Sequence, residues 1–289
     1  MMSGALCCGL SASLGCVPFV DDVRVDAPAM QGAFDALTYN VAGLPEGLSG
    51  SEPQDYIPLI SPRLNAYDLV LVQEDFTYQR ELRADVDHAH QSAPLEDYER
   101  LVGDGLNRFS HFAFDTENVV RERWVECYGG IDFGSSDCLA NKGFSVATHT
   151  LNGTAGVELV VVNFHAEAGG GPEDNAAREA GLDQLVAFLD EHHADDALVL
   201  GGDTNLHGFD DVDEPVLQDL MQRLDLDDAC RALQCDDEHI DRFLWRSSSV
   251  LTLTPVLWRV ADEMVTDDGE DLSDHSAIHT RFQWSVPTN

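Results

Sequence analysis

Residues 198–207 read LVLGGDTNLH, and this stretch decides how the rest of the chain is interpreted. A short apolar run that is ended by two glycines predicts a buried strand that stops where the chain must turn. Side chains alternate along an extended segment, so we expect Asp203 and Asn205 to leave it on the same side. A carboxylate beside an amide oxygen suits a hard cation or a phosphate group. Asp and Asn are also common in turns, so the stretch alone leaves both interpretations open.

The composition limits the class of protein. The chain has 289 residues, of which 44% are hydrophobic, so it can bury a sizeable core. The 16 Lys and Arg residues are outnumbered by 53 Asp and Glu residues, which gives a net charge of -37. This charge argues against tight, non-specific binding to a polyanion, which rests on Lys and Arg contacts. The charge does not exclude catalysis on a phosphodiester, because a divalent ion can supply positive charge locally. The alternative explanation of the acidic composition is solubility in a salty medium.

Four of the seven cysteines form two close pairs in the body of the chain. Cys127 stands near Cys138, and Cys230 stands near Cys235. An even number of cysteines in local pairs predicts two short disulfides and an oxidising compartment. A zinc site is the alternative because His239 follows Cys235 closely, but neither pair has the tight spacing of a zinc motif.

Residues 1–20 are small and apolar. They contain the other three cysteines, Cys7, Cys8 and Cys16. The first basic residue is Arg24, whereas a secretory leader begins with positive charge. One interpretation is a shortened leader in which residues 13–16, SLGC, resemble a lipoprotein cleavage site; the other is a disordered tail. Together with the paired cysteines, the stretch favours a secreted or cell-envelope protein.

Alternating and amphipathic apolar patterns predict a chain that mixes strands and helices. The predicted strands cover residues 34–41, 69–75, 110–115, 143–151, 158–167, 239–244 and 251–260, with a closing strand through Trp284. The predicted helices are one that starts at Ser61-Pro62 and those over residues 77–87, 173–193 and 214–224. Residues 88–107 and 116–138 are predicted as loops, and Trp124 and Tyr128 on the second are candidates for exposure.

Strand after strand in this chain ends in polar residues of one chemical kind. They are Asn40, Glu74, His165, Asp203 with Asn205, and Asp274 with His275. Taken singly, each has an ordinary explanation, as a turn residue, a solvated carboxylate or a half-buried histidine. A chance series in this order, always at strand ends, is much harder to accept.

The same stretches resemble the endonuclease/exonuclease/phosphatase superfamily, which has the deoxyribonuclease I-like fold. The matching segments are LTYNVAGL, LVLVQEDF, NKGFSVAT, VVNFHAE, GGDTNLH, HIDRFL and LSDHSAI. The resemblance implies an α/β (α+β) protein with four layers, an αββα sandwich of two mixed sheets with helices outside. It implies a catalytic domain at residues 34–289, after a leader or linker at residues 1–33, and metal-dependent cleavage of a phosphoester.

The resemblance also implies a metal site. Glu74 would be the principal Mg²⁺ ligand, Asn40 would help at the same ion, and Asp274 would lie close to it. Mg²⁺ prefers oxygen ligands and keeps several waters, so one or two carboxylates suffice. Mn²⁺ or Ca²⁺ could take the same ligands, and the sequence does not choose among the three ions.

The acid–base groups follow from the same motifs. Asp203 would orient or deprotonate the attacking water or protonate the leaving group. His275 would act as general base or stabilise the transition state. Asp241, from another strand, is the expected partner of His275, because adjacent residues of an extended chain point to opposite faces and Asp274 would therefore point away.

Four further residues are expected to contact the substrate. By the resemblance, Asn205 and His165 would hold phosphate oxygens. Asn163 leaves its strand on the same side as His165, and Lys142 is the only lysine that can be placed near the site. The segment around Lys142, LANKGF, looks like the Ala-x-Lys-Gly segment of the bacterial neutral sphingomyelinases.

Three substrate classes stay open. A secreted sphingomyelinase or related phospholipase C, acting as a monomer on phospholipid at a membrane surface, agrees best with LANKGF, export and the acidic surface. Against it, residues 258–271 are acidic, where some secreted members carry a hydrophobic hairpin. An extracellular endonuclease on DNA or RNA is the alternative. The third class, a phosphomonoesterase, would need a cluster of Lys and Arg to bind the extra phosphates. A non-enzymatic module that kept the fold would be expected to lose Glu74, Asp203 or His275, and all three are present.

Reduction should raise the intact mass of the body of the chain by the mass of four hydrogen atoms, because each of the two predicted disulfides takes up two electrons and two protons from the reductant and solvent. Mass spectrometry with and without reductant measures this difference. An unchanged mass would contradict the pairing of Cys127 with Cys138 and of Cys230 with Cys235.

Overall fold

The computed structural model describes residues 30–95, 102–129, 138, 140–152, 156–208, 210–235 and 239–288. The predicted leader, its three cysteines and parts of the two predicted loops lie outside these residues. The strands are β1 (Gln31–Asn40), β2 (Leu69–Gln73), β3 (His90–Gln91), β4 (Asn107–Ser110), β5 (Val120–Arg123), β6 (Gly143–Thr150), β7 (Glu158–His165), β8 (Leu198–Asp203), β9 (Asp227–Asp228), β10 (Asp241–Arg246), β11 (Thr252–Val260) and β12 (Ile278–Ser285). The α-helices are α1 (Pro53–Arg63), α2 (Gln79–Leu82), α3 (Pro172–His192), α4 (Asp213–Leu224) and α5 (Ala229–Ala232).

The strands form two six-stranded sheets that pack against each other. The first sheet has the order β11-β12-β1-β2-β4-β3, and the second has the order β5-β6-β7-β8-β10-β9. Apolar side chains from both sheets, such as Leu71 and Phe243, share one core. α1 packs Ile57 and Ile60 on the first sheet, and α3 and α4 cover the second. The predicted four-layer αββα sandwich is therefore confirmed.

The pairing of the central strands brings polar residues to one edge of each sheet. β1 runs parallel to β2, with Asn40 beside Gln73, and β7 runs parallel to β8, with His165 beside Asp203. β10 runs antiparallel to β8, so its first residue, Asp241, also pairs with Asp203. Because parallel strands end at the same edge of a sheet, the polar residues that close them become neighbours.

The two glycines of LVLGGDTNLH lie inside β8 and do not end it as predicted, since the strand continues to Asp203. A Cβ atom on Gly201 would lie 2.7 Å from the side chain of Leu71 on the facing sheet. On Gly202 it would lie 2.0 Å from the carbonyl oxygen of Phe164. Both distances are shorter than a non-bonded contact of a carbon atom allows. The two glycines therefore permit the close approach of neighbouring strands and of the two sheets.

Two predicted helices differ from those observed. The helix predicted to start at Ser61-Pro62 instead ends there, because α1 already begins at Pro53. Both prolines satisfy the rule for a helix start, and the burial of Ile57 on the first sheet favours the earlier one. The predicted helix over residues 77–87 is reduced to the single turn of α2.

The strand predicted over residues 110–115 lies earlier, as β4, and starts inside a segment predicted as a loop. Its polar residues Asn107 and Arg108 conceal it in the sequence, yet both are fully buried because they bond to the other sheet. The charged strand β5 was also missed, since it pairs only at the edge of the second sheet. Trp124 is buried, contrary to expectation, whereas Tyr128 is exposed.

Both predicted cysteine pairs are disulfide-bonded. The Cα atoms lie 5.4 Å apart in the pair Cys127–Cys138 and 5.1 Å apart in the pair Cys230–Cys235. These separations are usual for disulfides, and the bridged cysteines are 11 and 5 residues apart in the sequence. The inferred export stays a prediction.

α3 is amphipathic, as predicted. Its buried face includes Leu182, Leu185, Val186 and Leu189, which pack on the second sheet. Among the described residues, no helix is both long enough and apolar enough to cross a membrane.

His149 on β6 predicts how the stability depends on pH. It is 1% exposed, and burial together with the nearby Arg108 cation holds the pKa of its imidazole well below its usual value of 6.5. Below that pH the imidazole of His149 binds a proton in the unfolded chain but not in the folded chain. The free energy of unfolding therefore falls as the pH falls. We therefore expect His149→Leu to lose less stability than the original protein on going from pH 7 to pH 5.

Urea unfolding at the two pH values measures both losses. His192→Leu, at an exposed position of α3, is the matched control and should behave like the original protein. An equal loss in His149→Leu and the original protein would contradict the prediction.

Candidate active site

A cluster of polar side chains lies at the end of the sandwich where the central strands finish. It combines residues from both sheets with one from the segment before β12. Its members are Asn40 and Glu74 from the first sheet, His165, Asp203 and Asp241 from the second, and His275. The sequence predicted each of them, and the structure shows which atoms face each other.

Asp203 is the centre of the cluster and is 1% exposed. Its Oδ2 lies 3.2 Å from Nε2 of His165 and 3.8 Å from Nε2 of His275. The same oxygen accepts a hydrogen bond from Nδ2 of Asn40 at 3.1 Å. Burial opposes ionisation, but the hydrogen bond from His165 and the charges of His165, His275 and Lys142 outweigh it and hold the pKa of Asp203 well below its usual range. Asp203 is therefore a permanent acceptor at neutral pH.

His275 is oriented by Asp241. Nδ1 of His275 lies 2.8 Å from Oδ2 of Asp241, whose side chain is 3% exposed. Burial lowers the pKa of His275, but this hydrogen bond and the charges of Asp241 and Asp203 raise it to about 10. Burial and the charge of Asp203 also raise the pKa of Asp241. Because Nδ1 is engaged, Nε2 is the ring atom that His275 presents to the cluster.

Glu74 follows β2 in a left-handed backbone conformation, with φ at +56°. This conformation is uncommon for a residue with a side chain. The turn is held by the backbone amides of Gly43 and Phe76, which donate to the Glu74 carbonyl oxygen at 3.0 and 2.7 Å. Its Oε1 lies 3.1 Å from Nδ2 of Asn40 and 4.0 Å from Nε2 of His165. The carboxylate is partly exposed and so faces the mouth of the cluster.

The donor set fits a divalent cation. Carboxylate oxygens of Glu74 and Asp203 both lie 3.1 Å from one nitrogen, Nδ2 of Asn40. Carboxylates directed at one point repel each other unless positive charge lies between them. A second grouping, Asp203 with Asp241 and His275, has ligand atoms within 4.8 Å of one another. Oxygen-rich groups of this kind suit Mg²⁺, Mn²⁺ and Ca²⁺.

Lys142 and Asn205 border the cluster. Lys142 is buried, and its charge acts on Asp203. Asn205 has φ at +49°, so the strand alternation expected from Asp203 to Asn205 stops at the end of β8. Its backbone amide donates to Oδ1 of Asp203 at 2.9 Å, and its Nδ2 donates to the carbonyl oxygen of Ala166 at 3.1 Å. The turn interpretation is therefore correct for this residue, and its contact with a phosphate oxygen stays a prediction.

Two residues of the predicted site lie outside the cluster. Asn163 is completely buried between the sheets, where its amide bonds to Gln73 and to two backbone carbonyls of the first sheet. It has no path to a substrate. Asp274 is exposed and points toward the turn at Gly50, where a Cβ atom would lie 2.2 Å from its Oδ2. Asp274 and His275 lie in the irregular segment before β12, so the strand alternation expected for them does not apply there.

Sequence reasoning missed two residues that hold the histidines. The hydroxyl of Ser273 donates to the carbonyl oxygen of Asn40 at 2.7 Å and accepts from the amide of His275 at 3.2 Å. The indole of Trp124 donates to the carbonyl oxygen of His165 at 2.7 Å. A hydroxyl two residues before a site histidine, and a tryptophan in an otherwise polar loop, were the available signals.

No family model matches the chain. Sphingomyelinases from Mycobacterium tuberculosis and Mycobacterium bovis are each 32% identical to it, over an alignment that covers 92% of this chain and 55% of the relative. The chain thus spans about half the length of the curated relatives it matches.

Three solved structures are similar at lower identity. Sphingomyelinase C from Streptomyces griseocarneus has a TM-score of 0.65 and 19% identity, covering 86% of this chain and 99% of that one. A beta toxin mutant from Staphylococcus aureus with bound magnesium ions has a TM-score of 0.63 and 15% identity, covering 86% and 99%. An endonuclease/exonuclease/phosphatase from Beutenbergia cavernae has a TM-score of 0.59 and 15% identity, covering 88% and 72%. The fold, the motifs in this order and the mycobacterial match support the resemblance of this chain to the endonuclease/exonuclease/phosphatase superfamily.

Proposed function

We propose that the protein is a secreted or cell-envelope phosphodiesterase of the sphingomyelinase C type that depends on Mg²⁺. It would act as a monomer on phospholipid at a membrane surface. The observation that carries the reaction class is the buried Asp203 carboxylate, which faces two imidazoles and converges with Glu74 on Asn40. A phosphodiester is anionic and repels nucleophiles, so its hydrolysis needs a cation and acid–base groups in one site.

The choice of a choline phospholipid has three supports. The mycobacterial relatives are named sphingomyelinases. Lys142, the lysine of the LANKGF segment, lies close enough to Asp203 to lower its pKa. The net charge of -37 disfavours a polyanionic substrate such as DNA. An extracellular endonuclease is the alternative that the experiment below must separate.

The acid–base groups would act from the second sheet. Oδ2 of Asp203 and Nε2 of His275 lie 3.8 Å apart and face the same space, so Asp203 can orient an attacking water there while the protonated imidazole of His275 stabilises the negative charge of the transition state. His165, 3.2 Å from Asp203, and Asn205 would hold phosphate oxygens. Asp241 would stabilise the protonated ring of His275 and hold it with Nε2 directed at the same space.

Glu74, Asn40 and Asp203 would hold the metal ion, which supplies positive charge to the phosphate oxygens. Asp241 and His275 are left out of this set because the 2.8 Å hydrogen bond between them already engages both. Asp274 is left out because it lies outside the cluster. Mg²⁺ is the proposed ion, and Mn²⁺ or Ca²⁺ could replace it in the same ligands.

Hydrolysis of sphingomyelin in mixed micelles and of plasmid DNA, each with Mg²⁺ and with EDTA, tests the function. We expect phosphocholine release that requires Mg²⁺, and intact plasmid. Nicked plasmid with untouched sphingomyelin would replace the proposal with a secreted nuclease. Inactivity on both would contradict a phosphodiesterase of either kind.

Glu74→Ala and His275→Ala should each lower phosphocholine release by about 10²–10⁴-fold, because they remove site chemistry and little of the core. The midpoint of thermal unfolding should change little. Glu173→Ala and His192→Ala, at exposed positions of α3, are the matched controls and should retain full activity. Turnover near that of the original protein in either site variant would refute the assignment.

Asp241→Asn should lower the pKa of His275 from about 10 by about 1–3 units, because it removes the charge that stabilises the imidazolium. NMR titration of the histidine ring nitrogens in metal-free protein measures this change. Asp274→Asn is the control, since its exposed charge acts least on the ring. A pKa of His275 that is the same in Asp241→Asn and in the original protein would show that Asp241 does not orient it.

A further inference from the structure

Two buried amide side chains connect the sheets directly behind the active site. Nε2 of Gln73, on β2, donates to Oδ1 of Asn163, on β7, at 2.7 Å. Nδ2 of Asn163 in turn donates to the backbone carbonyl oxygens of Val72 and Asn107 at 2.9 and 3.0 Å. Gln73 and Asn163 are both completely buried. All polar atoms of the Asn163 side chain are therefore used inside the protein.

The position of this link along the strands is what makes it informative. Gln73 is the residue immediately before Glu74, at the end of the first sheet's central strand. Asn163 is two residues before His165, so both side chains leave β7 on the same side, toward the first sheet. Asn163 also pairs with Gly201, two residues before Asp203. One hydrogen bond thus joins the strand that carries Glu74 to the two strands that carry His165 and Asp203.

The active site needs such a link because it is divided between two sheets. Asn40 ends a strand of the first sheet and Glu74 directly follows another, whereas His165 and Asp203 end strands of the second. The core between the sheets is largely apolar, and apolar contacts fix no direction or register. Hydrogen bonds do fix direction, and catalytic groups must stay within about 0.5 Å of their productive positions.

We propose that Asn163, together with Gln73, is a positioning residue that sets the distance between Glu74 and the His165–Asp203 pair. It touches neither substrate nor metal ion, and it acts only through the strands to which it is bonded. The inference rests on the proposed function, since it concerns the same site. It gives Asn163 a role different from the substrate contact that its sequence position suggested.

The test replaces each amide by an apolar side chain of similar size, in Asn163→Leu, Gln73→Leu and the double variant. We expect each single variant to lower kcat by about 10–100-fold with little change in KM, since a displacement of about 1 Å costs about 10²-fold. The double variant should lose no more than the worse single variant, because both remove the same link.

Val161→Ala is the matched control. Val161 lies on the same strand and the same face as Asn163 but contributes only packing. It should lose stability in urea unfolding while keeping kcat. If Val161→Ala and Asn163→Leu lose kcat in proportion to their loss of stability, Asn163 is a structural residue only and the proposal is overturned. If Asn163→Leu does not unfold cooperatively, its loss of stability cannot be measured. Gln73→Leu is then compared with Val161→Ala in its place.

A readout without turnover separates this proposal from the proposed function. The ring nitrogen resonances of His165 in metal-free protein should shift in Asn163→Leu and Gln73→Leu and stay in place in Val161→Ala. An unchanged His165 resonance in both amide variants would overturn the positioning role even in an active enzyme. Inactivity of the original protein on sphingomyelin and DNA would instead contradict the proposed function, while the shift would still support the link.

Discussion

The burial of the Asp203 carboxylate is the constraint on which the rest of the structure depends. A charge this deeply buried is costly unless other groups compensate it. Its compensation comes from separate parts of the chain: Asn40 on β1, His165 on β7, His275 before β12 and the Asn205 amide in its own turn. These segments must therefore come together for the chain to be stable, and their meeting point is the candidate active site.

Close packing of the two sheets is the second condition. Gly201 and Gly202 remove the side chains that would keep Leu71 and Phe164 away from β8. Fully buried polar residues then bond across the gap, with Arg108 donating to backbone carbonyls of β6 and β7 at 2.7 and 3.0 Å. Directional bonds of this kind give the interface a single register, which an apolar interface alone does not have. The same register aligns Glu74 with His165.

The negative charge of the chain bears on the source of positive charge at the site. The protein carries a net charge of -37, and its one lysine, Lys142, is buried close to the central carboxylate. Positive charge at the site therefore comes from Lys142, from the imidazole of His275 and, in the proposed mechanism, from a bound cation. In the proposed function, this arrangement would let the site attack a single phosphodiester group whose charge is compensated locally, while the net charge of -37 disfavours the binding of a polynucleotide.

From the sequence by itself, the apolar patterns predicted the strands that deliver the polar residues and the cysteine spacing predicted both disulfide pairs, whereas the layered fold and the roles of the six clustered residues followed from the family resemblance of the motifs. Periodicity and strand-end chemistry are local signals, so they survive without coordinates. The tertiary structure alone decided that Asn163 joins the sheets, that Asp274 lies against the turn at Gly50, that Gly201 and Gly202 lie inside a strand, and that the polar segment at Asn107 is a buried strand. Each of these depends on which residue of another sheet lies opposite, and the order of residues along one chain does not specify that partner.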